Sequence, residues 1–216
     1  MIKAKNITKS YGDLKVLKGI DLEIDKGQIV SIIGKSGTGK STLLHILGTL
    51  DQADTGDIWI DDVLISDLKG KDLAKLRNEK IGFIFQFHHL LKEFNALENV
   101  CIPAFVKGTP KNDAIKRAKE LLDYLCLAER MDHKPGQMSG GEQQRVAIAR
   151  SLINQPKVVF ADEPTGNLDN ATSAEMHKLL VQLKTDLSQT FVIVTHNDEL
   201  ANMSDRTLTM ADGLIV

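Results

Sequence analysis

The sequence predicts an α/β fold: a mainly parallel sheet, an antiparallel β part at one edge, and a mostly helical insertion. Short β-branched runs recur between helix-length segments. Those runs are apolar almost throughout, which suits parallel strands covered on both faces. The stretch 87–155 contains no convincing strand. The 216 residues of the whole chain, 42% of them hydrophobic, are enough to bury a sizeable core in one unit.

Residues 1–28 alternate, with Leu22 and Ile24 on one face and Asp21, Glu23 and Asp25 on the other. Residues 57–65 alternate too, and both stretches read as antiparallel strands. Ile29–Ile33 is the first buried strand, and a helix follows over 40–49. Ile81–Phe85, Lys157–Ala161 and Phe191–Thr195 are further buried strands, with helices expected over 112–127, 140–154 and 171–187. The scattered lysines Lys69, Lys71, Lys75 and Lys80 read as an ordinary solvated face. The chain runs out at Gly213-Leu214-Ile215-Val216, just after an expected last strand. No C-terminal regulatory domain is expected, and hence no direct small-molecule control.

The net charge of −2 and the lack of a basic patch give no reason to expect nucleic acid as a partner. Cys101 and Cys126 lack metal-site spacing and are expected to be buried free thiols in a reducing compartment. The start has no apolar signal region, and no apolar run approaches the ~20 residues of a spanning helix. His88-His89 has no cysteine or acidic cluster beside it in sequence to suggest a metal site.

The strand Ile29–Ile33 runs into Gly34-Lys35-Ser36-Gly37-Thr38-Gly39-Lys40-Ser41, with Thr42 opening an apolar helix. This fits G-x-x-x-x-G-K-[ST], a match that chance would supply in roughly one chain of this length in a hundred. Glycines let the backbone fold around a phosphate, and the amides and helix N-terminus direct positive partial charge at it. Lys40 should reach the β- and γ-phosphates of a nucleoside triphosphate, and the Ser41 hydroxyl should ligate Mg²⁺. Further on, the strand before Asp162-Glu163 ends where ligands of α/β sheets bind. Asp162 is suited to hold Mg²⁺, mostly through water, and Glu163 to orient or deprotonate an attacking water. A third segment, Met138-Ser139-Gly140-Gly141-Glu142, is a glycine-rich helix start. Taken alone it reads as an ordinary turn with Ser139 as N-cap. As a second anion-binding terminus, it suggests service to a neighbouring molecule.

Over nearly all its length the sequence resembles the ABC ATPase family. Ser139-Gly140-Gly141-Glu142 looks like that family's signature, with Met138 and Glu142 where Leu and Gln are commonest. Gln86 matches the Q-loop, Asn167-Leu168-Asp169 the D-loop, His196 the switch histidine, and Tyr11 the ring that stacks on adenine. The resemblance implies a P-loop NTPase (RecA-like) core formed by 1–86, with the antiparallel part, and 156–216, and an ABC α-helical subdomain over 87–155. It implies a head-to-tail homodimer in which each ATP meets one subunit's loop at Gly34–Ser41 and the other's Ser139–Glu142 and Asp169. Catalysis would rest on Lys40, Gln86, Glu163 and His196, with Ser41, Gln86 and Asp162 managing the metal.

The wording of residues 82–103, of Leu47–Asp51 and of Ala161–Asp169 is similar to the lipoprotein-releasing branch of the family. That branch implies integral permease partners docking near Gln86–Val100. It also implies a peripheral position on the cytoplasmic side of the inner membrane, without membrane insertion. Phe87 to Leu91 would grip a permease helix, although Phe87, Leu90 and Leu91 could simply pack the insertion. Export of macrolides or peptides, or a division-associated complex, is the alternative within the family. A soluble ABC ATPase is the remote one, since coiled-coil insertions or a second cassette do not fit into this length.

Overall fold

The computed structural model describes residues 1–216. The chain begins with a hairpin of β1 (Ile2–Tyr11) and β2 (Leu14–Ile24), followed by β3 (Ile29–Ile33) and α1 (Lys40–Leu47). Next come β4 (Thr55–Ile60), β5 (Val63–Leu64), α2 (Gly70–Lys80) and β6 (Ile81–Phe85). Three helices, α3 (Ala96–Lys107), α4 (Lys111–Tyr124) and α5 (Gly140–Leu152), precede β7 (Val158–Asp162). The remainder is α6 (Asn170–Leu187), β8 (Thr190–Val194), α7 (Asp198–Asn202), β9 (Arg206–Ala211) and β10 (Leu214–Ile215).

Two sheets result. The larger has six strands in the order β10-β9-β3-β8-β7-β6, parallel except for β10. The antiparallel part is a separate four-stranded sheet, β2-β1-β4-β5. The near-continuous apolar strands follow from burial on both sides. Along β8, Phe191 and Ile193 pack with α3 to α7, whereas Val192 and Val194 face α1 and the small sheet. Ile7, Leu17, Ile20 and Ile58 supply that sheet's inward face, with α1 between the two sheets through Leu43, Leu44 and Leu47. Each alternation is the two-residue strand period, read twice.

Sequence patterning misses α2 because only Leu76 is buried on it, so the lysine-rich surface hides a helix. The helix expected over 112–127 stops at Tyr124, and Cys126 adopts a left-handed φ of 59° in the turn beyond. There the expectation of two buried thiols fails: Cys101 is buried, but Cys126 is exposed. Between β6 and β7 the ordered elements are helical, and α3, α4 and α5 pack on one another around Val100, Ala104, Ala118 and Ile148.

Phe160 on β7 is fully buried and stacks on Phe83 of β6 at 5.7 Å between ring centroids. Phe160→Ala should cost about 3–5 kcal/mol through lost burial and a residual cavity. In a thermal melt that is a drop of about 10 °C. Leu14→Ala, at an exposed position, should stay within about 0.5 kcal/mol of the parent.

Candidate active site

The loop after β3 wraps around its own lysine. Lys40 Nζ donates to the carbonyl oxygens of Gly34 and Lys35, both at 2.9 Å, and the Thr38 hydroxyl donates to Lys35 O at 2.9 Å. Gly34 has φ 148°, and a Cβ there would lie 2.3 Å from the Met210 carbonyl oxygen, so no other residue fits. The amides of Ser36, Gly37, Gly39, Lys40 and Ser41 have no backbone acceptor. Gly39 caps α1 without a side-chain bond, and no acid occupies its first turn. The result is an uncompensated positive helix end beside an ammonium group, a site for an anion with several oxygens.

Register brings the acidic strand end to the same edge. Ile32 pairs with Val194, and Val194 with Asp162, so β3, β8 and β7 end level. Ser41 Oγ donates to Asp162 Oδ1 at 3.0 Å, and His45 Nε2 lies 3.5 Å from Asp162 Oδ2. One residue on, Glu163 has a left-handed φ of 47° and its N–H donates to Val194 O at 2.9 Å. That turn aims its carboxylate across β8, where Oε2 meets His196 Nδ1 at 2.8 Å and His196 N–H at 3.3 Å. His196 itself is 72% exposed. Tyr11, Val16, Ser36, Lys40, Glu163 and His196 are among the residues lining a single open cleft of about 540 Å³.

Ser41 and Asp162 supply adjacent hard oxygen donors, which fit Mg²⁺ better than a soft-ligand metal. Two protein oxygens leave the other positions to water and phosphate, the usual pattern for this ion. Gln86, the other residue expected at the metal, is tied elsewhere: its Nε2 donates to Asn167 Oδ1, and Asn167 Nδ2 donates to Gln86 O, each at 3.0 Å. Its side-chain oxygen makes no hydrogen bond within the chain.

Ser139, Gly140, Gly141, Glu142 and Asp169 do not line the cleft. Ser139 caps α5 in a reciprocal box, accepting from Glu142 N at 3.2 Å while Glu142 Oε2 accepts from Ser139 N at 2.7 Å. Arg130 donates to the other Glu142 oxygen at 2.8 Å, and it, with the Ser139 amide, holds that carboxyl below its ordinary range. A Cβ on Gly141 would lie 2.6 Å from Thr172 Cγ2, so glycine lets α5 start against the first turn of α6. Asp169 caps α6 through Thr172 N at 3.0 Å.

Other positioning groups carried no sequence signal. His88 Nδ1 bonds Gln144 Oε1 on α5, and Arg150 donates to the carbonyls of His88 and His89 at 2.7 and 2.8 Å. Asn99 on α3 accepts from Leu91 N and donates to the carbonyls of Leu91, Phe94 and Asn95. Among the apolar residues of this segment, Leu90 packs into the core, while Phe87 is 65% exposed and Leu91 and Phe94 are also exposed.

His177 on α6 is fully buried behind these loops, with Nε2 3.2 Å from Thr165 Oγ1 and Nδ1 3.5 Å from Glu199 Oε2 on α7. Burial depresses its pKa below the ordinary 6.5, with Glu199 pulling weakly the other way. The folded chain therefore takes up this proton less readily than the unfolded chain, which gains it as pH falls through about 6.5. Its stabilising share is complete above that pH and lost below it. Melting temperature should fall between pH 7 and 5, and His177→Gln should flatten that slope, as melts at stepped pH would reveal.

A profile described as ABC transporter matches residues 17–166. The chain is similar over its whole length to the lipoprotein-releasing system ATP-binding protein LolD of Bacteroides fragilis, with 57% identity covering 100% of both chains. The protein of the same name from Geobacter metallireducens is 49% identical, covering 100% of this chain and 98% of its own. Among solved structures, the dimeric post-hydrolysis ATP-binding cassette MJ0796 bound to ADP and Pi is similar at TM-score 0.90 and 42% identity, covering 100% of this chain and 96% of that one. cbiO1 from Clostridium perfringens, part of the ABC transporter complex cbiONQ, is similar at TM-score 0.91 and 31% identity, covering 100% and 86%.

Proposed function

The chain belongs to the ABC transporter family, and from that premise we propose that it is the ATP-hydrolysing subunit of a complex that releases lipoproteins from a membrane. The observation that carries the chemistry is that the Lys40 loop, Ser41 with its hydroxyl bonded to Asp162, and the Glu163–His196 pair meet at one cleft lined by Lys40, Ser41, Glu163 and His196. The cargo rests on full-length similarity to relatives named for lipoprotein release.

Lys40 and the free loop amides bind the β- and γ-phosphates, and the exposed Tyr11 ring stacks on the base. Mg²⁺, held by Ser41 and through water by Asp162, would neutralise charge on the phosphates. Glu163 accepts the proton of the attacking water, and His196, already bonded to that carboxylate, orients it and reaches the γ-phosphate. Gln86 keeps a side-chain oxygen for the metal or water. Such catalysis is mostly positioning and charge stabilisation.

The helix terminus at Ser139–Gly141 lies outside its own chain's cleft, which supports its use by the other subunit of a homodimer. The similar MJ0796 cassette is dimeric. Residues 87–155 act as a helical subdomain, and exposed Phe87, Leu91 and Phe94 offer an apolar surface for a permease helix. No helix is long and apolar enough to cross a membrane. This suits a peripheral subunit on the cytoplasmic side, held by its permeases.

Glu163→Gln should lower turnover by about 10²–10⁴-fold while ATP affinity is kept, and the ATP-bound protein should elute as a dimer. Near-parental hydrolysis would reassign the base. Tagged Glu163→Gln protein drawn with Mg-ATP from solubilised membranes should bring down permeases of lipoprotein release, whereas an efflux permease would move the cargo. Specific activity of the parent protein should rise with concentration before it saturates. A flat response across the monomer–dimer range would sink the shared site.

A further inference from the structure

Tyr11 does not stand free at the cleft. Its hydroxyl donates to Asp51 Oδ2 at 2.5 Å, across 40 residues of sequence. Asp51 lies beyond the C-terminal end of α1, outside the residues that line the cleft. Its other oxygen accepts from Lys9 Nζ at 3.0 Å and from Gln52 N at 2.7 Å. Lys9 Nζ in turn donates to Gln52 O at 2.6 Å and lies 5.2 Å from the centre of the Tyr11 ring. The three side chains close a triangle: carboxylate to hydroxyl, ammonium to carboxylate, ammonium to ring.

We infer that Asp51, braced by Lys9, is a positioning residue for the nucleotide base, acting through the orientation of Tyr11. The inference rests on the reading of Tyr11 as the base platform. A ring 51% exposed has few packing contacts to hold it, and a stacking partner that must first be oriented binds more weakly than one already oriented. A charge-assisted bond from the phenol to a carboxylate supplies the orientation that packing does not. The bond also leaves its mark on both groups. The Asp51 carboxylate pushes the Tyr11 phenol above its ordinary range. Burial raises the Asp51 carboxyl, but Tyr11, the Gln52 amide and Lys9 outweigh it and hold it low.

Affinity for ATP and for inorganic tripolyphosphate, which has no base, separates the roles. Both ligands are titrated calorimetrically with Mg²⁺ into the parent chain, Asp51→Ala, Tyr11→Phe, Tyr11→Ala and the Asp51→Ala/Tyr11→Ala double variant. Tyr11→Phe keeps the ring and removes only the anchor, so it remains informative if Asp51→Ala folds poorly. Asp51→Ala and Tyr11→Phe should each weaken ATP by about 3- to 10-fold and leave tripolyphosphate unchanged. Adding Asp51→Ala to Tyr11→Ala should cost nothing more. Equal losses for both ligands, additive losses in the double variant, or an intact ATP affinity in Asp51→Ala and Tyr11→Phe while Tyr11→Ala is impaired would each overturn the positioning role alone. An unchanged ATP affinity in Tyr11→Ala would overturn the base platform and the positioning role together.

Discussion

Three adjacent parallel strands end at the same level, and the candidate site is built on that edge. Ile32, Val194 and Asp162 lie in one row across β3, β8 and β7. The row continues beyond the strands, with Thr195 N bonding Ile32 O and Glu163 N bonding Val194 O. Because β8 carries Phe191 and Ile193 to one core and Val192 and Val194 to the other, both faces of this register are buried. A slip of one residue would exchange the faces of a whole strand, and large side chains on both sides oppose it. Rigidity at this edge lets Glu163 take a left-handed backbone conformation and hold its carboxylate against His196.

The two glycine-rich helix starts differ physically. The N-terminus of α1 has no side-chain cap and no acid in its first turn. The N-terminus of α5 is closed by its own Ser139 and Glu142, with Arg130 offsetting the added negative charge. The first leaves its positive end uncompensated within its own chain. The second satisfies part of its own backbone and carries less free charge, in keeping with a contact that completes a site rather than one that founds it. Glu142 in place of the commoner glutamine adds to that difference, and the Arg130 pair moderates it.

Polar contacts also tie the loop after β6 to the loop after β7 and to α5. Gln86 and Asn167 exchange hydrogen bonds, so the loop after β6 is tied to the loop after β7. Two residues later His88 is fixed to Gln144, and Arg150 on the same helix holds the carbonyls of His88 and His89. The helix that starts at Ser139 is thus fastened directly to the segment carrying the exposed Phe87 and Leu91. The two are joined by short side-chain bonds rather than by a flexible linker.

What was legible in the sequence was local. The run Gly34–Ser41, the Asp162-Glu163 pair after an apolar strand and the Ser139–Glu142 helix start are contiguous segments whose spacing carries their chemistry. The doubly buried strands announced themselves because burial on both faces removes alternation. Helix α2 was hidden, since a helix burying only Leu76 leaves no periodic stripe to read, and the exposure of Cys126 depended on a turn that ended α4 early. Tertiary structure alone decided that Asp51 meets Tyr11, that His88 meets Gln144, and that Gly141 abuts Thr172. Hydrophobic periodicity records how much of each element is buried, not which element it is buried against. Contacts between side chains remote in sequence exist only once register and packing have brought their backbones within reach.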